Sequence, residues 1–289
     1  MLTIEFKSEL PEHARSRQSD NTITACLVIH NEETVIRRCL ESMKGIVDEI
    51  LVVHDGPCED RSLEICREYG CTIQVRRHIG IGEAHRPWLI EMASSEWILQ
   101  IDPDEYLCTK AQSSLRELVQ SKRADCYAFI WPIWNGTRYT TKRWPYKKVL
   151  YRKHAAQYLG FPHEEVRVTG KIEYSTLRLE HKPNYNNFSI ATFRTKWNRW
   201  IDVHARALLS DSDSFDRFPD HIRLKPHYYF IADRPLLSCI PVFFYHLTGT
   251  IVLGGLKEGY QVLKVGLYTS AYYFVLCLRV HRLKQMSRK

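Results

Sequence analysis

The sequence predicts an α/β fold: a mostly parallel sheet with helices on both faces, followed by membrane-associated helices at the carboxyl end. Three observations lead there. Between residues 22 and 106, apolar strand-like runs alternate with helical patterns, as parallel strands joined by crossover helices require. Polar or acidic clusters follow three of those runs directly. Near the carboxyl end, residues 235–256 and 265–278 carry no charge, and a basic tail follows.

The elements come in order. Residues 1–21 form a polar lead-in without the apolar stretch of a secretory signal, so the active part is expected in the cytosol. Residues 23–29 read as a buried strand, and Asn31 is placed to cap a helix beginning at Glu32. In that helix Val35, Ile36, Cys39, Leu40 and Met43 recur at helical spacing. Residues 49–53 form a second strand, followed by the loop His54-Asp55-Gly56-Pro57. A helix over 62–69 stops at Gly70. Residues 72–75 make a third strand, Gly80 and Gly82 open a helix to about Ala93, and 97–101 make a fourth strand. A helix over 111–121, strands over 127–131 and 148–152, and a long amphipathic helix over 187–209 complete the catalytic part.

Ligands of such sheets bind outside the carboxyl ends of the strands. Asn31-Glu32, Asp55-Gly56 and Asp102-Pro103-Asp104 all fall there, so three polar clusters converge on one edge. In an extended chain Asp102 and Asp104 point the same way, and Pro103 between them donates no hydrogen bond. Two carboxylates on one side repel unless a cation sits between them, and hard oxygen ligands suit Mg²⁺ or Mn²⁺. Standing alone, such a pair could equally be a solvated loop that caps a helix.

Composition narrows the classes. The 289 residues allow one large α/β domain plus an appendage. Nine cysteines without C-x-x-C pairs point to free thiols in a reducing compartment, not a disulfide framework. The net charge of +8 is concentrated. Between Cys126 and His163 there is no acid, while Arg138, Lys142, Arg143, Lys147, Lys148, Arg152 and Lys153 are present. With Trp144, Tyr146 and Tyr151 this stretch suits sugar stacking and phosphate or anionic-lipid contact. It would also suit single-stranded nucleic acid, but no nucleic-acid motif accompanies it, and nucleic acid is not an expected partner. The uncharged run 235–256 is long enough to span a bilayer, yet Pro241, His246, Gly249, Gly254 and Gly255 make it a poor span, and the second run is too short. Helices lying in the membrane interface, with the basic tail on anionic headgroups, are the expectation. A buried soluble pair and a true span are the alternatives.

With these residues in place the chain resembles family 2 glycosyltransferases of the GT-A fold, and more narrowly the bacterial branch of lipopolysaccharide-core β-glucosyltransferases. The segments that carry the resemblance are Cys26-Leu27-Val28-Ile29-His30-Asn31-Glu32-Glu33, Ile50-Leu51-Val52-Val53-His54-Asp55-Gly56, Gly80-Ile81-Gly82-Glu83-Ala84-His85-Arg86, and the run from Ser95 to Glu105. The resemblance covers 22–106 most clearly, then Phe161-Pro162-His163-Glu164 and His181, and does not reach 1–21.

It implies a role for each cluster. Asp55 would hydrogen-bond the base of the nucleotide sugar, typically uracil; the family usually has two acids before the glycine, and here the first is His54. Asn31 and Glu32 would border the nucleotide pocket, Arg86 would reach the diphosphate or the acidic motif, and His181 would approach the diphosphate. Asp102 would contact ribose or sugar and share the metal with Asp104, which holds the ion bridging the diphosphate; Glu105 is an additional acid. An inverting transfer needs a base on the opposite face of the sugar, and Glu164 matches that position, with Glu165 as its rival.

The expected domains are the lead-in 1–21, a GT-A catalytic domain 22–225 with a nucleotide-sugar half 22–106 and an acceptor half 107–225, and membrane-association helices 226–289. The expected activity is inverting, Mg²⁺- or Mn²⁺-dependent transfer of a hexose from a nucleotide sugar, UDP-linked by the resemblance, to a membrane-associated glycan or glycolipid. The place is the cytoplasmic face of the membrane. Two rivals stay open: a polyprenyl-phosphate glycosyltransferase, and a non-catalytic membrane-bound partner that binds nucleotide sugar.

Overall fold

The structure, a computed structural model, describes residues 21–186, 189–192, 194, 197–209, 224–254 and 258–287. The expected lead-in therefore lies outside the described residues except for Asn21, as does part of the helix expected over 187–209.

Strands β1 (Ile23–Ile29), β2 (Glu49–Asp55), β3 (Thr72–Arg76) and β4 (Trp97–Gln100) lie in the order β3-β2-β1-β4, all parallel. Helices α1 (Ile36–Glu41), α2 (Ser62–Glu68) and α3 (Arg86–Met92) make the crossovers. Both faces of this half are covered, and strand alternation divides the residues between them. Ile23, Ala25, Leu27 and Ile29 pack with Ile36 and Leu40 of α1 on one face. Cys26, Leu51, Val53 and Ile98 pack with Leu89 and Ala93 on the other.

The second half is mixed. β5 (Glu105–Leu107), α4 (Thr109–Ser121), β6 (Cys126–Ile130), β7 (Tyr146–Arg152) and β10 (Ile172–His181) extend the sheet to eight strands, β3-β2-β1-β4-β7-β6-β10-β5. β7 runs antiparallel to both neighbours and β5 antiparallel to β10. β8 (Ala156–Gln157) and β9 (Arg167–Val168) form a separate ribbon.

Two helix starts differ from the sequence reading. Asn31 does not cap α1: it sits at φ +55, its side-chain oxygen accepts the Glu59 N–H at 2.9 Å, and a turn bonded to the Glu32 carbonyl delays the helix to Ile36. The helix expected from Gly82 is a 3₁₀ turn (Gly82–His85) followed by α3. Pro87 is the reason, because without an N–H it is accommodated only in a first helical turn.

The carboxyl end is helical: α5 (Ile190–Thr192), α6 (Asn198–Leu208), α7 (Pro226–Asp233), α8 (Pro235–Gly254) and α9 (Tyr260–Met286). α8 and α9 pack as an antiparallel pair, brought close by Gly266, where a Cβ would come within 3.1 Å of Leu247. One side of this pair shares a core with the catalytic part, including Phe161, Ile201, Tyr228 and Leu276. Its other side is apolar and bare: Leu236, Leu237, Ile240, Phe244, Val252 and Leu253 are exposed.

That shared core holds polar rings. The Tyr272 hydroxyl meets His163 Nε2 at 2.9 Å and His204 Nδ1 at 3.1 Å. Burial pushes His204 well down and lowers His227 to about 4. These imidazoles are neutral when folded, whereas unfolded they take protons near 6.5. The unfolded chain therefore binds more protons below about pH 6.5, and stability falls as pH drops through that value. Thermal unfolding at pH 7.5 and pH 5.5 should show a lower midpoint at the acid end, and a smaller drop in His204→Gln. An unchanged midpoint would show that the folded protein takes up these protons freely.

Candidate active site

The carboxyl ends of β1, β2 and β4 and the end of β10 open on a cavity of about 810 Å³. Glu32, Asp55, Arg86, Asp102, Asp104 and His181 all line it. Asn31 stands outside, its N–H donating to His54 Nε2 at 3.3 Å.

Asp55 is held at the end of β2 by four contacts. It accepts from the Ile79 and Gly80 N–H groups at 2.6 and 2.8 Å, meets His85 Nε2 at 2.9 Å, and lies 3.3 Å from His78 Nδ1. Burial alone would raise its carboxyl, but the His85 contact and the two backbone N–H groups outweigh it and hold it below the usual carboxylate range. Gly56 follows at φ +94, where a Cβ would lie 2.8 Å from that of His78. His54, in the place of the family's first acid, is fully buried and bonds the Gly56 carbonyl at 2.7 Å. His30, Asp55 and His78 bring potential ligand atoms within 4.8 Å of one another. Those atoms are engaged with each other and the backbone, and the Arg199 guanidinium rests against His78, which disfavours a cation there.

The acidic motif is not an extended strand. β4 ends at Gln100, and a turn in which the Glu105 N–H donates to the Asp102 carbonyl at 2.9 Å separates the acids. The cation between carboxylates is therefore internal, and it bridges Asp102 and Glu105 rather than Asp102 and Asp104. Lys147 Nζ lies 2.7 Å from Asp102 Oδ2 and 2.7 Å from Glu105 Oε1. Arg86 Nη2 takes Asp102 Oδ1 at 2.8 Å, and Trp131 Nε1 donates to Glu105 at 2.6 Å. Both oxygens of Asp102 thus already face cations, which departs from its expected place in the metal set. Burial raises the Asp102 carboxyl, but Lys147 and Arg86 outweigh it and hold it low. Glu105 is pushed up by burial, offset in part by Lys147 and reinforced by Asp102. Burial would lower Lys147, yet Asp102 and Glu105 hold it above the usual lysine value.

Asp104 stands apart from this network and faces His181, with Oδ2 and Nε2 3.3 Å apart. His181 stacks on Trp131 at 4.3 Å, and among the described residues its Nδ1 has no hydrogen-bond partner. One carboxylate and one imidazole opening on a cavity form a donor pair that a divalent ion accepts.

Glu164 lies beyond the wall. It is buried, 2.8 Å from Lys225 Nζ and 3.6 Å from Arg167 Nη2, and it lines a second cavity of about 320 Å³. Glu83, Arg86, Asp102, Trp131 and His163 line both cavities. Glu165 is largely exposed and 3.6 Å from Lys148.

Lys147, Trp131, His85 and Arg199 were not legible as site residues. Lys147 reads in sequence as one member of a basic stretch; the antiparallel pairing of β6 with β7 carries it inward.

A family model for glycosyl transferase family 2 matches residues 24–206. The chain belongs to that family. Its sheet and helices form the GT-A arrangement, and Asp55, Arg86, Asp102, Asp104, Glu164 and His181 lie inside the matched region. Over 106 residues the chain is 31% identical to an uncharacterized glycosyltransferase of Rickettsia felis, covering 36% of each. It is 31% identical over 108 residues to a TPR repeat-containing protein of Synechococcus elongatus, covering 37% of this chain and 27% of that one. These matches span little more than a third of the relatives' own length, or less. Among solved structures it is similar to S. aureus TarS 1–349 in complex with UDP-GlcNAc, at 13% identity and TM-score 0.46, covering 91% of this chain and 92% of that one. It is also similar to glucosyl-3-phosphoglycerate synthase from Mycobacterium tuberculosis in complex with Mn²⁺ and UDP-glucose, at 19% identity and TM-score 0.32, covering 42% and 46%.

Replacing Lys147 tests the internal counter-ion. Lys147→Met leaves the buried Glu105 carboxylate without its cation, while Asp102 keeps Arg86, and should cost on the order of 3–5 kcal/mol in urea unfolding, with Glu105→Gln added in the double variant restoring part of it. A loss well under 1 kcal/mol would show that solvent, not Lys147, neutralises the pair.

Proposed function

We propose that the protein transfers a hexose from a nucleotide sugar, with UDP as the carrier, to a membrane-associated glycan or glycolipid with inversion at the sugar. The observation that carries this reading is the shared wall: donor-side groups line one cavity, Glu164 lines the next, and Arg86, Asp102, Trp131 and His163 stand between them.

In this reading the base lies against Asp55 and the diphosphate lies toward Arg86. Asp102, fixed by Arg86 and Lys147, is held for hydroxyls of the ribose or sugar. Asp104 and His181 would hold a divalent cation, which when bound offers Lewis-acid stabilisation of the leaving diphosphate. The acceptor oxygen attacks the anomeric carbon, the bond to the diphosphate breaks, and its electron pair stays on the departing phosphate. The proton of the acceptor hydroxyl goes to Glu164, on the far side of the wall from Asp104. Arg86 is the cation beside the developing charge.

The carboxyl helices support a membrane-surface location. α8 and α9 are both long and apolar enough to cross a membrane by length and composition. The uncharged part of α9, however, is 14 residues, about 21 Å at 1.5 Å per residue, against a hydrocarbon core of about 30 Å. One side of the pair also packs on the protein. Lying in the interface satisfies both facts, with the exposed Arg282 of α9 available to anionic headgroups. Nine free thiols fit the cytoplasmic face. A place in lipopolysaccharide-core synthesis is the narrower form of the same reading and rests on the sequence resemblance.

Calorimetric titration with UDP, GDP and dTDP, each with and without Mn²⁺, tests the donor class. UDP should bind with metal dependence that Asp104→Ala abolishes. Glu164→Gln should keep UDP binding and lose about 10²–10⁴-fold in transfer. Absence of binding by folded protein would overturn the transferase reading, and full transfer by Glu164→Gln would move the base to another group.

A further inference from the structure

The turn before Glu164 carries an unexpected residue. The Glu164 N–H donates to the Phe161 carbonyl at 3.1 Å, so Phe161-Pro162-His163-Glu164 closes a four-residue turn. Pro162 is second in it and His163 third, at φ +59, as in a type II turn. Glycine or asparagine suits that third position, because other side chains crowd the backbone there. A histidine held there against its preference, and exposed, points to a task for the imidazole.

His163 stands where the transferred sugar must lie. In an inverting transfer the anomeric carbon lies between the leaving phosphate and the attacking oxygen. In the proposed reading the hexose is therefore at the wall between the donor cavity and the cavity that Glu164 lines. Five residues line both: Glu83, Arg86, Asp102, Trp131 and His163. Arg86 and Asp102 are paired with each other, and Trp131 Nε1 is engaged by Glu105. Among the described residues, the Glu83 carboxylate and His163 Nδ1 make no hydrogen bond.

The second imidazole nitrogen fixes where the proton lies. His163 Nε2 meets the Tyr272 hydroxyl at 2.9 Å, and that hydroxyl meets His204 Nδ1 at 3.1 Å. One hydroxyl has one proton, so the relay runs in one of two directions. If the hydroxyl donated to His204, that neutral and fully buried ring would carry its proton on Nε2, which has no partner among the described residues. Orphaned buried N–H groups are rare, and bare acceptors less so. His204 therefore donates from Nδ1, Tyr272 donates to His163 Nε2, and His163 carries its proton on Nδ1.

The relay is anchored. Tyr272 belongs to α9, whose preceding turns line the donor cavity with Val265, Tyr268 and Thr269. Arg279 of this helix pairs with Asp202 at 3.0 Å, and Lys284 Nζ donates to the Ala232 carbonyl at 2.7 Å. The Lys142 and Arg143 N–H groups bind Glu258, just before α9, at 2.8 and 2.6 Å. The rings of Tyr272 and Trp200 meet the imidazole edge-on at 4.9 and 6.1 Å.

We infer that His163 is a binding residue for the transferred hexose: its Nδ1–H donates to an oxygen of that sugar, and Tyr272 is the positioning residue that keeps the proton there. The inference rests on the proposed transferase reading and deepens it by naming a contact to the hexose. A fixed donor favours a sugar that presents an oxygen at that point over one that does not. Glu83, on the same wall, offers an acceptor to another hydroxyl.

The test is calorimetric titration of the full chain, with Mn²⁺, by UDP, UDP-glucose, UDP-galactose and UDP-N-acetylglucosamine. His163→Gly suits φ +59 and removes only the imidazole, so it should stay folded and bind UDP as the wild type does. It should bind the tightest of the three UDP-hexoses about three- to tenfold more weakly, the contribution of one hydrogen bond. Tyr272→Phe should weaken the same ligand with UDP unchanged. It should add nothing in the His163→Gly background, where a merely structural role of the hydroxyl would still be felt. Equal UDP-hexose affinities in the wild type and His163→Gly, or an equal loss for UDP itself, would overturn the contact. An undiminished effect of Tyr272→Phe without the imidazole would overturn the relay. Absence of UDP binding by the wild type would instead overturn the transferase reading on which both stand.

Discussion

Asp102, half-buried just past β4, and Glu105, fully buried in β5, stand side by side only with cations of their own, and much of the architecture follows from supplying them. Lys147 reaches both from β7, and Arg86 reaches Asp102 from the start of α3. β7 must therefore lie directly beside β4, which it does, antiparallel. α3 must begin where the 3₁₀ turn delivers Arg86 to the pocket, and Pro87 fixes that start. In a buried ion pair the Coulomb gain is nearly consumed by desolvation. The network is better understood as orientation: it aims Asp102 and leaves Asp104 apart from those cations.

Specialisation within a run of acids is the consequence. Asp102 is held ionised by two cations, Glu105 is driven up by burial among like charges, and Asp104 pairs with a histidine from another strand. Three residues of the same chemistry thus occupy three electrostatic environments. The pair expected to face one another across a metal faces different partners because a turn replaces the extended chain after Gln100.

The amino half of the fold was legible because its strands are buried on both faces and its helices carry a regular apolar stripe, so periodicity and turn residues agreed. Asp55, Asp102 and Asp104 were legible at strand ends, Arg86 and His181 only through the family resemblance, and all five share a cavity. Lys147 was not: nothing in its sequence neighbourhood separates it from Lys142, Arg143 and Lys148, and only the strand register sets it inside. Asn31 was misplaced for a local reason, since a residue at φ +55 cannot act as an ordinary N-cap and its side chain turns to Glu59 instead. The long helix expected over 187–209 is represented among the described residues by α5 and α6. The contribution of α9 to the cavity was beyond any motif, because an apolar helix facing a membrane and one lining a pocket have the same composition.

His163 ties these parts together. It adopts φ +59, a conformation that costs an L-residue roughly 1–2 kcal/mol, and it stands immediately before Glu164. A strained backbone of this kind persists only where its surroundings fix it. Here the fixing contact is the Tyr272 hydroxyl of α9, which also meets His204 of α6. The position of Glu164 therefore depends on a helix whose opposite flank is bare and apolar. An anchor that merely tethered the enzyme could hang from a linker. A helix that sets the backbone beside Glu164 and walls the cavity must dock rigidly, and the contacts of Glu258, Arg279 and Lys284 along its length are what such docking requires.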